Sequence, residues 1–199
     1  LALQLDLPHY SAYSLIVAPK AFFFIQYAKG RLALPTEDLE ADMYDVLMNE
    51  MEAHGLNQYE ISNFAKPGFS SIHNKIYWDN DEYAGFGAGA HGYLEGVRYS
   101  NYGPIKKYME AVEAGSRPVV HEHEVTQTER KEEQMFLGLR KTDGISNEVF
   151  ERKFNETIFD TYRKVIEGLV KDGLLESNEY GIRLTRKGRF VGNEVFQQF

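Results

Sequence analysis

Apolar residues recur every three or four positions in parts of this chain and alternate over short runs in others, and the two patterns predict its elements. Leu39, Met43, Leu47 and Met51, with Val46, give one apolar face of a helix. Thr36 behind Pro35 suits the N-cap, and Glu37, Asp38 and Glu40 place negative charge in the first turn, where the helix dipole favours it. Gly55 is a natural stop. Residues 10–17 and 59–64, rich in aromatic and β-branched types, read as flanking strands. Strand, amphipathic helix and strand predict a βαβ unit. Such a unit cannot cover both faces of a sheet alone, and it fits the last piece of a parallel α/β barrel.

Residues 67–102 are rich in Gly, aromatics, Asn and Asp and carry little periodicity, which predicts a long ordered loop. A short helix follows Gly103-Pro104 and reaches about Ala114, with Gly115 as its stop. From Thr126 the pattern turns helical: Thr126 with Glu129 fits a capping box, and Met135, Phe136, Leu137 and Leu139 line a helix ending near Gly144. Ser146 caps a short helix with Val149, Phe150 and Phe154. A third, over residues 159–171, carries Tyr162, Val165, Ile166, Leu169 and Val170 on one side. Two short runs across a turn at 178–181 predict a β-hairpin, and Thr185 caps a final helix with Phe190, Val191, Val195 and Phe196. This order predicts a winged-helix-like domain over 119–199 after a first domain at 1–118, the composition shifting near 119–125.

Composition then narrows the chemistry. The 199 residues carry a net charge of −8, so no long-range field attracts nucleic acid or an anionic membrane. The longest apolar run, residues 21–25, is far short of the roughly 20 residues of a membrane span. The chain has no cysteine, which excludes disulfides, thiolate zinc sites and any cysteine-ligated cluster held by these residues alone. With no secretory signal in view, a cytoplasmic setting is expected. The first residue is Leu1 rather than Met, and the chain reads as starting inside a longer protein.

Residues 83–92 hold four glycines and three alanines. Small residues let a backbone approach another surface and take positive φ, so main-chain groups could hold a cofactor; the alternative is a tight strand packed on a helix. No helical run follows, so this is not a dinucleotide fingerprint. His73, Tyr77 and Trp78 could ligate and pack a flat macrocycle, or could be a capped turn with aromatics in the core. His121-Glu122-His123 lacks a third ligand at metal spacing and reads as solvated, and residues 129–133 read as a charged helix face with i,i+4 pairs. Arg183, Arg186, Lys187 and Arg189 raise a DNA-binding alternative, which the acidic chain and the mixed charges of residues 159–171 oppose.

Together, residues 59–65 (Tyr-Glu-Ile-Ser-Asn-Phe-Ala), His73-Asn74-x-x-Tyr77-Trp78 and Gly85-Phe86-Gly87-Ala88-Gly89-Ala90-His91-Gly92 resemble the oxygen-independent coproporphyrinogen III oxidase family of radical S-adenosylmethionine proteins, and within it the haem-chaperone branch. The resemblance extends over residues 9–15, 135–140 and Gly192-Asn193-x-Val195-Phe196, nearly the whole chain. At 17–24 the chain departs from the family's acidic residue and Gly-Thr-like turn, with Ala18-Pro19-Lys20-Ala21 instead.

The resemblance implies a partial (β/α) barrel whose N-terminal part carries three cysteines for a 4Fe-4S cluster completed by S-adenosylmethionine, so that this chain alone is not expected to cleave the cofactor. It places Gly87, Ala88, Gly89, Ala90 and His91 on the S-adenosylmethionine side. It places His73, Tyr77 and Trp78 on a haem side, with His73 as ligand to the haem iron. Haem binding and delivery to an accepting protein is the expected function. Oxidative decarboxylation of coproporphyrinogen III is the alternative, and no nucleic-acid partner is expected.

Overall fold

The computed structural model describes residues 2–199 and divides into two compact units, Leu1–Ser70 and Ser71–Phe199. The first contains β1 (His9–Ser11), α1 (Phe22–Ala28), α2 (Glu37–Ala53), β2 (Asn57–Glu60) and β3 (Asn63–Ala65). Thr36 caps α2 as expected, its hydroxyl accepting from the Leu39 amide at 3.3 Å. The strands differ from expectation. Of the first predicted strand, 10–17, only residues 10 and 11 fall in a sheet strand, and 59–64 is not one strand but the end of β2, a turn and the start of β3.

The turn has a polar cause. The Glu60 carboxylate, almost completely buried, folds back to accept from the Ser62 amide at 2.8 Å and from the Asn63 side chain. Tyr44 and Gln58 both donate to the Ile61 carbonyl at 2.9 Å. A buried carboxylate must be satisfied, and a continuous strand would aim those donors elsewhere. The sheet order is therefore β1-β3-β2 with both pairings antiparallel, in place of a directly paired parallel βαβ. Of the predicted apolar face of α2 only Met51 is buried, with Met48 beside it; Leu47 is half-buried, while Leu39, Met43 and Val46 are exposed, as are Phe22, Phe23, Phe24 and Ile25 on α1.

The second unit opens with α3 (Ile72–Trp78), then β4 (His91–Leu94), β5 (Val97–Asn101), α4 (Ile105–Glu113) and β6 (Val119–Glu124). The predicted long loop at 67–102 thus contains a helix and a hairpin. The hairpin turns at Glu95-Gly96, both with positive φ (52° and 77°), the geometry that follows strand twist. β4, β5 and β6 form an antiparallel sheet in that order, so the His121-Glu122-His123 stretch is an exposed strand. Among the described residues no cluster of metal-ligating side chains occurs.

The remainder is α5 (Gln127–Gly138), β7 (Ile145–Ser146), α6 (Asn147–Phe154), α7 (Ile158–Lys171), β8 (Leu175–Asn178), β9 (Gly181–Leu184), α8 (Arg186–Phe190) and α9 (Gly192–Phe196), with sheet order β7-β9-β8. The final predicted helix is broken at Val191, whose backbone (φ −117°, ψ 31°) is not helical. Met135, Leu139, Phe150, Ile158, Ile166, Leu175, Ile182 and Val195 make the core beneath this sheet. Gly138 is required at the crossing of α5 and β7: a Cβ there would lie 2.6 Å from Ile145 Cγ1. The charged face at 129–133 works across elements, with Lys131 paired to Glu156 and Glu133 to Arg98. Among the described residues no helix is long and apolar enough to cross a membrane.

Capping boxes start both α5 and α7: Thr126 with Glu129, and Thr157 with Asp160. Hydrogen bonds from each threonine hold the Glu129 and Asp160 carboxyls below their ordinary values of 4.5 and 3.8. The folded chain therefore releases these protons more readily than the unfolded chain does. Their contribution is complete above the unfolded values and is lost as pH falls through the folded ones. Urea midpoints measured from pH 7 to pH 3 should fall mainly below about pH 4.5, and Glu129→Gln should flatten that slope; an unchanged slope would reject the assignment.

Candidate functional site

The three aromatic residues of the His-Asn-x-x-Tyr-Trp motif lie on α3, a helix of seven residues capped by Ser71, whose hydroxyl accepts from the Asn74 amide at 3.2 Å. Residues four apart share a helix face. His73 is exposed on the first turn and meets Tyr77 one turn later, ring edge to face, with centroids 4.9 Å apart. Tyr77 in turn stands edge-on to Tyr83 at 4.5 Å, which ties the helix to the start of the glycine-rich stretch. Trp78 is half-buried under the Arg140 guanidinium, 4.5 Å from its ring centroid, a cation–π contact. Its Nε1 is buried with no acceptor among the described residues.

A cavity of about 350 Å³ lies against this helix. Tyr77, Trp78, Tyr83, Phe136 and Leu137 give it apolar walls, and Asn80, Asp81, Arg98 and Glu133 supply polar groups. Arg98 and Glu133 form a bidentate pair, Nη1 to Oε1 at 2.5 Å and Nη2 to Oε2 at 3.0 Å. The Glu133 hydrogen bond raises the Arg98 pKa. Burial pushes the Tyr83 phenol up despite the nearby guanidinium. The phenol therefore stays protonated in neutral solution; in the cavity wall Arg98 and Glu133 neutralise each other, and the Asp81 carboxylate is paired with Lys153 at 2.8 Å.

His73, Tyr77 and Trp78 are legible in the sequence as site residues, whereas Tyr83 enters only as the first residue of the glycine-rich stretch, Glu133 only within the charged face at 129–133, and Arg98 not at all. No local signal joins these three, because they come from a loop, a strand and a helix far apart in the chain. Phe136 and Leu137 are legible as apolar helix positions and as part of the family-like run 135–140.

The glycine-rich stretch is rigidly tied to its own unit. Tyr83 and Tyr93 exchange backbone hydrogen bonds of 2.8 Å. The buried Asn101 amide donates to the Gly85 and Gly87 carbonyls at 3.3 and 2.9 Å. Gly85 donates to the Tyr99 hydroxyl at 2.9 Å, Gly87 to that of Tyr108 at 3.3 Å, and Gly89 to the Tyr102 carbonyl at 2.9 Å. Gly87 and Gly89 use positive φ (101° and 71°), and Gly92 lies under the Tyr99 ring, where a Cβ would sit 2.2 Å from Cζ. The amides at 85, 87, 89 and 90 are thus engaged within the fold. What the loop presents outward is Phe86, 88% exposed, together with Ala88, Gly89 and His91. Gly87 and Ala90 are half-buried. Tyr77–Tyr83 is the contact that brings the two predicted groups together; His73 itself touches only Tyr77 among the ring contacts of the described residues.

Residues 125–191 match the family described as HemN C-terminal domain. Over 198 residues the chain is 50% identical to "Heme chaperone HemW" of Bacillus subtilis (strain 168), covering 100% of this chain and 52% of that protein. It is 31% identical to "Radical S-adenosyl methionine domain-containing protein 1, mitochondrial" of Mus musculus, over 92% of this chain and 44% of that one. Among solved structures, the chain described as "Coproporphyrinogen III oxidase (HemN) from Escherichia coli is a Radical SAM enzyme" superimposes with a TM-score of 0.74 at 16% identity, over 99% of this chain and 49% of that one. The chain spans about half the length of the curated relatives it matches.

Proposed function

Because this chain belongs to the family of oxygen-independent coproporphyrinogen III oxidases and haem chaperones, and carries its C-terminal portion, we propose that it presents His73 to haem as cargo within a protein that binds haem and delivers it to an accepting protein. The observation that carries this reading is the state of His73. Its imidazole is exposed, without a hydrogen bond among the described residues, and held edge-on by Tyr77 beside an aromatic-walled cavity. A neutral imidazole is the usual protein ligand of haem iron. The orphaned indole N–H of Trp78 fits the same cargo, whose propionates are hydrogen-bond acceptors. The relatives named as haem chaperones support the reading at the level of the whole protein.

The family also implies a 4Fe-4S cluster and S-adenosylmethionine. A cysteine-free chain supplies no thiolate for the cluster, which belongs to the rest of the protein. S-adenosylmethionine, when bound, supplies radical chemistry in the complete protein. Toward it we assign the outer surface of Gly87, Ala88, Gly89, Ala90 and His91. With the neighbouring amides already engaged, contact there is through the His91 ring and the small-residue surface. In this reading 1–118 ends a partial barrel and faces the cofactors, and 119–199 is a winged-helix-like domain. The exposed apolar faces of α1 and α2 suit packing against earlier barrel elements, and the sequence of α5, β7, α6, α7, β8 and β9 suits the winged helix.

Hemin titrated into the full-length protein should give a shifted Soret band characteristic of imidazole ligation. His73→Ala should lose that spectrum and weaken binding by about tenfold or more. An unchanged titration would remove His73 from the site.

A further inference from the structure

We infer that Lys153 of the C-terminal domain is the positioning residue for His73, acting through the far end of α3; the inference rests on the haem-ligand reading above. A helix of seven residues has no stability of its own in water, so its direction must be set by what grips its ends. At the N-terminal end the grip is local, Ser71 on Asn74. The C-terminal end is held by residues distant in sequence. The ammonium of Lys153, whose side chain is only 18% exposed, donates to the carbonyl of Asp79, the C-cap of α3. It also donates to the Asp81 carboxylate at 2.8 Å and to Gln134 Oε1 at 3.1 Å, with the Asn80 carbonyl at 3.4 Å. An ammonium has three protons, so the first three contacts saturate it.

The partners form a frame. Gln134 is 2% exposed on α5, and Lys153 itself lies on α6. Lys141 pairs with the Asp79 carboxylate. Asn80 takes positive φ (52°) and donates to the Arg130 carbonyl at 3.3 Å, so the turn has a single way of leaving the helix. A cation on the last carbonyls of a helix is also favourable to its dipole. From Asp79 back to His73 is about 9 Å along the axis at about 1.5 Å per residue, so a tilt of about 10° at the gripped end displaces His73 by about 1.5 Å. Sites built for ligation tolerate about 0.5 Å. Lys153 thereby sets the ligand's position without itself lining the cavity.

The test is hemin titration of the full-length protein carrying Lys153→Met, which keeps the aliphatic stem, beside Lys153→Arg, His73→Ala and the milder Asp81→Asn. Unfolding curves and exchange at the amides of 72–78 are recorded for each. The expected result for Lys153→Met is about tenfold weaker hemin binding with a loss of the imidazole-ligated Soret signature, faster exchange in α3, and partial recovery in Lys153→Arg. Asp81→Asn, which leaves the ammonium in place, should move both readouts in the same direction by less. If Lys153→Met proves too unstable to titrate, Asp81→Asn decides: no change in affinity or spectrum overturns the inference. Wild-type affinity and spectrum in Lys153→Met, while His73→Ala loses both, overturns the inference and leaves the haem reading standing. No effect in His73→Ala overturns the reading itself.

Discussion

Gly85→Ala is expected to destabilise the second unit by about 3 kcal/mol or more, lowering its thermal midpoint by about 6–12 °C. A Cβ at this position would lie 2.1 Å from the His91 carbonyl oxygen and 2.4 Å from its carbon, both backbone atoms. No rotamer change relieves such a contact. The chain must shift, which breaks the 2.9 Å hydrogen bond from Gly85 to the Tyr99 hydroxyl and the Asn101 bond to the Gly85 carbonyl. It also disturbs the paired backbone bonds of Tyr83 and Tyr93. Gly168 is the control: it lies in α7 with nothing within 4 Å of its would-be Cβ. Gly168→Ala should stabilise the protein by about 0.5–1 kcal/mol through helix propensity. A Gly85→Ala midpoint within about 2 °C of wild type would mean that residues 83–92 do not pass one another as closely as described.

Phe150→Ala is expected to cost about 3–5 kcal/mol, read as a lower urea midpoint at unchanged slope. Phe150 is completely buried, tilted against Phe154 at 4.7 Å between centroids and edge-on to Tyr162 at 6.5 Å. Truncation leaves a cavity in the middle of the domain, because α6 and α7 are fixed by their caps and by β7 and β9 and cannot collapse onto it. A second readout follows from Tyr162, whose phenol burial pushes up to about 12. Opening the cavity admits water and should return that value toward 10, seen in the ultraviolet titration of tyrosinate. A loss below about 2 kcal/mol would show that the core repacks. Because Lys153 sits one turn after Phe150 on α6, this variant should also loosen the Asp79–Asp81 turn.

The local signals in the sequence were reliable where one short stretch contains both partners of an interaction. Thr36 with the first turn of α2, Thr126 with Glu129, Ser146 with Val149 and the turn at Asn178–Gly181 are all contacts within three residues, so residue types alone specify them. The motifs carried the family because they are long and ordered. The Thr157–Asp160 box has the same form, but the predicted helix over 159–171 starts one residue inside α7 and leaves its cap out.

What the sequence alone could not give is whatever depends on distant partners. A parallel βαβ was the natural reading of two apolar runs flanking a helix, yet a buried Glu60 bonded to Ser62 and Asn63 turned the second run back on itself. The helix of the His-Asn-x-x-Tyr-Trp motif is too short to show a period and exists because Lys153, Lys141 and Arg140 hold its far end. Arg98 and Glu133 meet 35 residues apart in the chain. The sequence by itself determined the capped starts of α2, α5 and α6, the acidic cysteine-free character and the motifs of the family. Only the tertiary structure decided strand pairing, the cavity and the orientation of His73, because short elements take their geometry from buried contacts whose energy exceeds their own propensity.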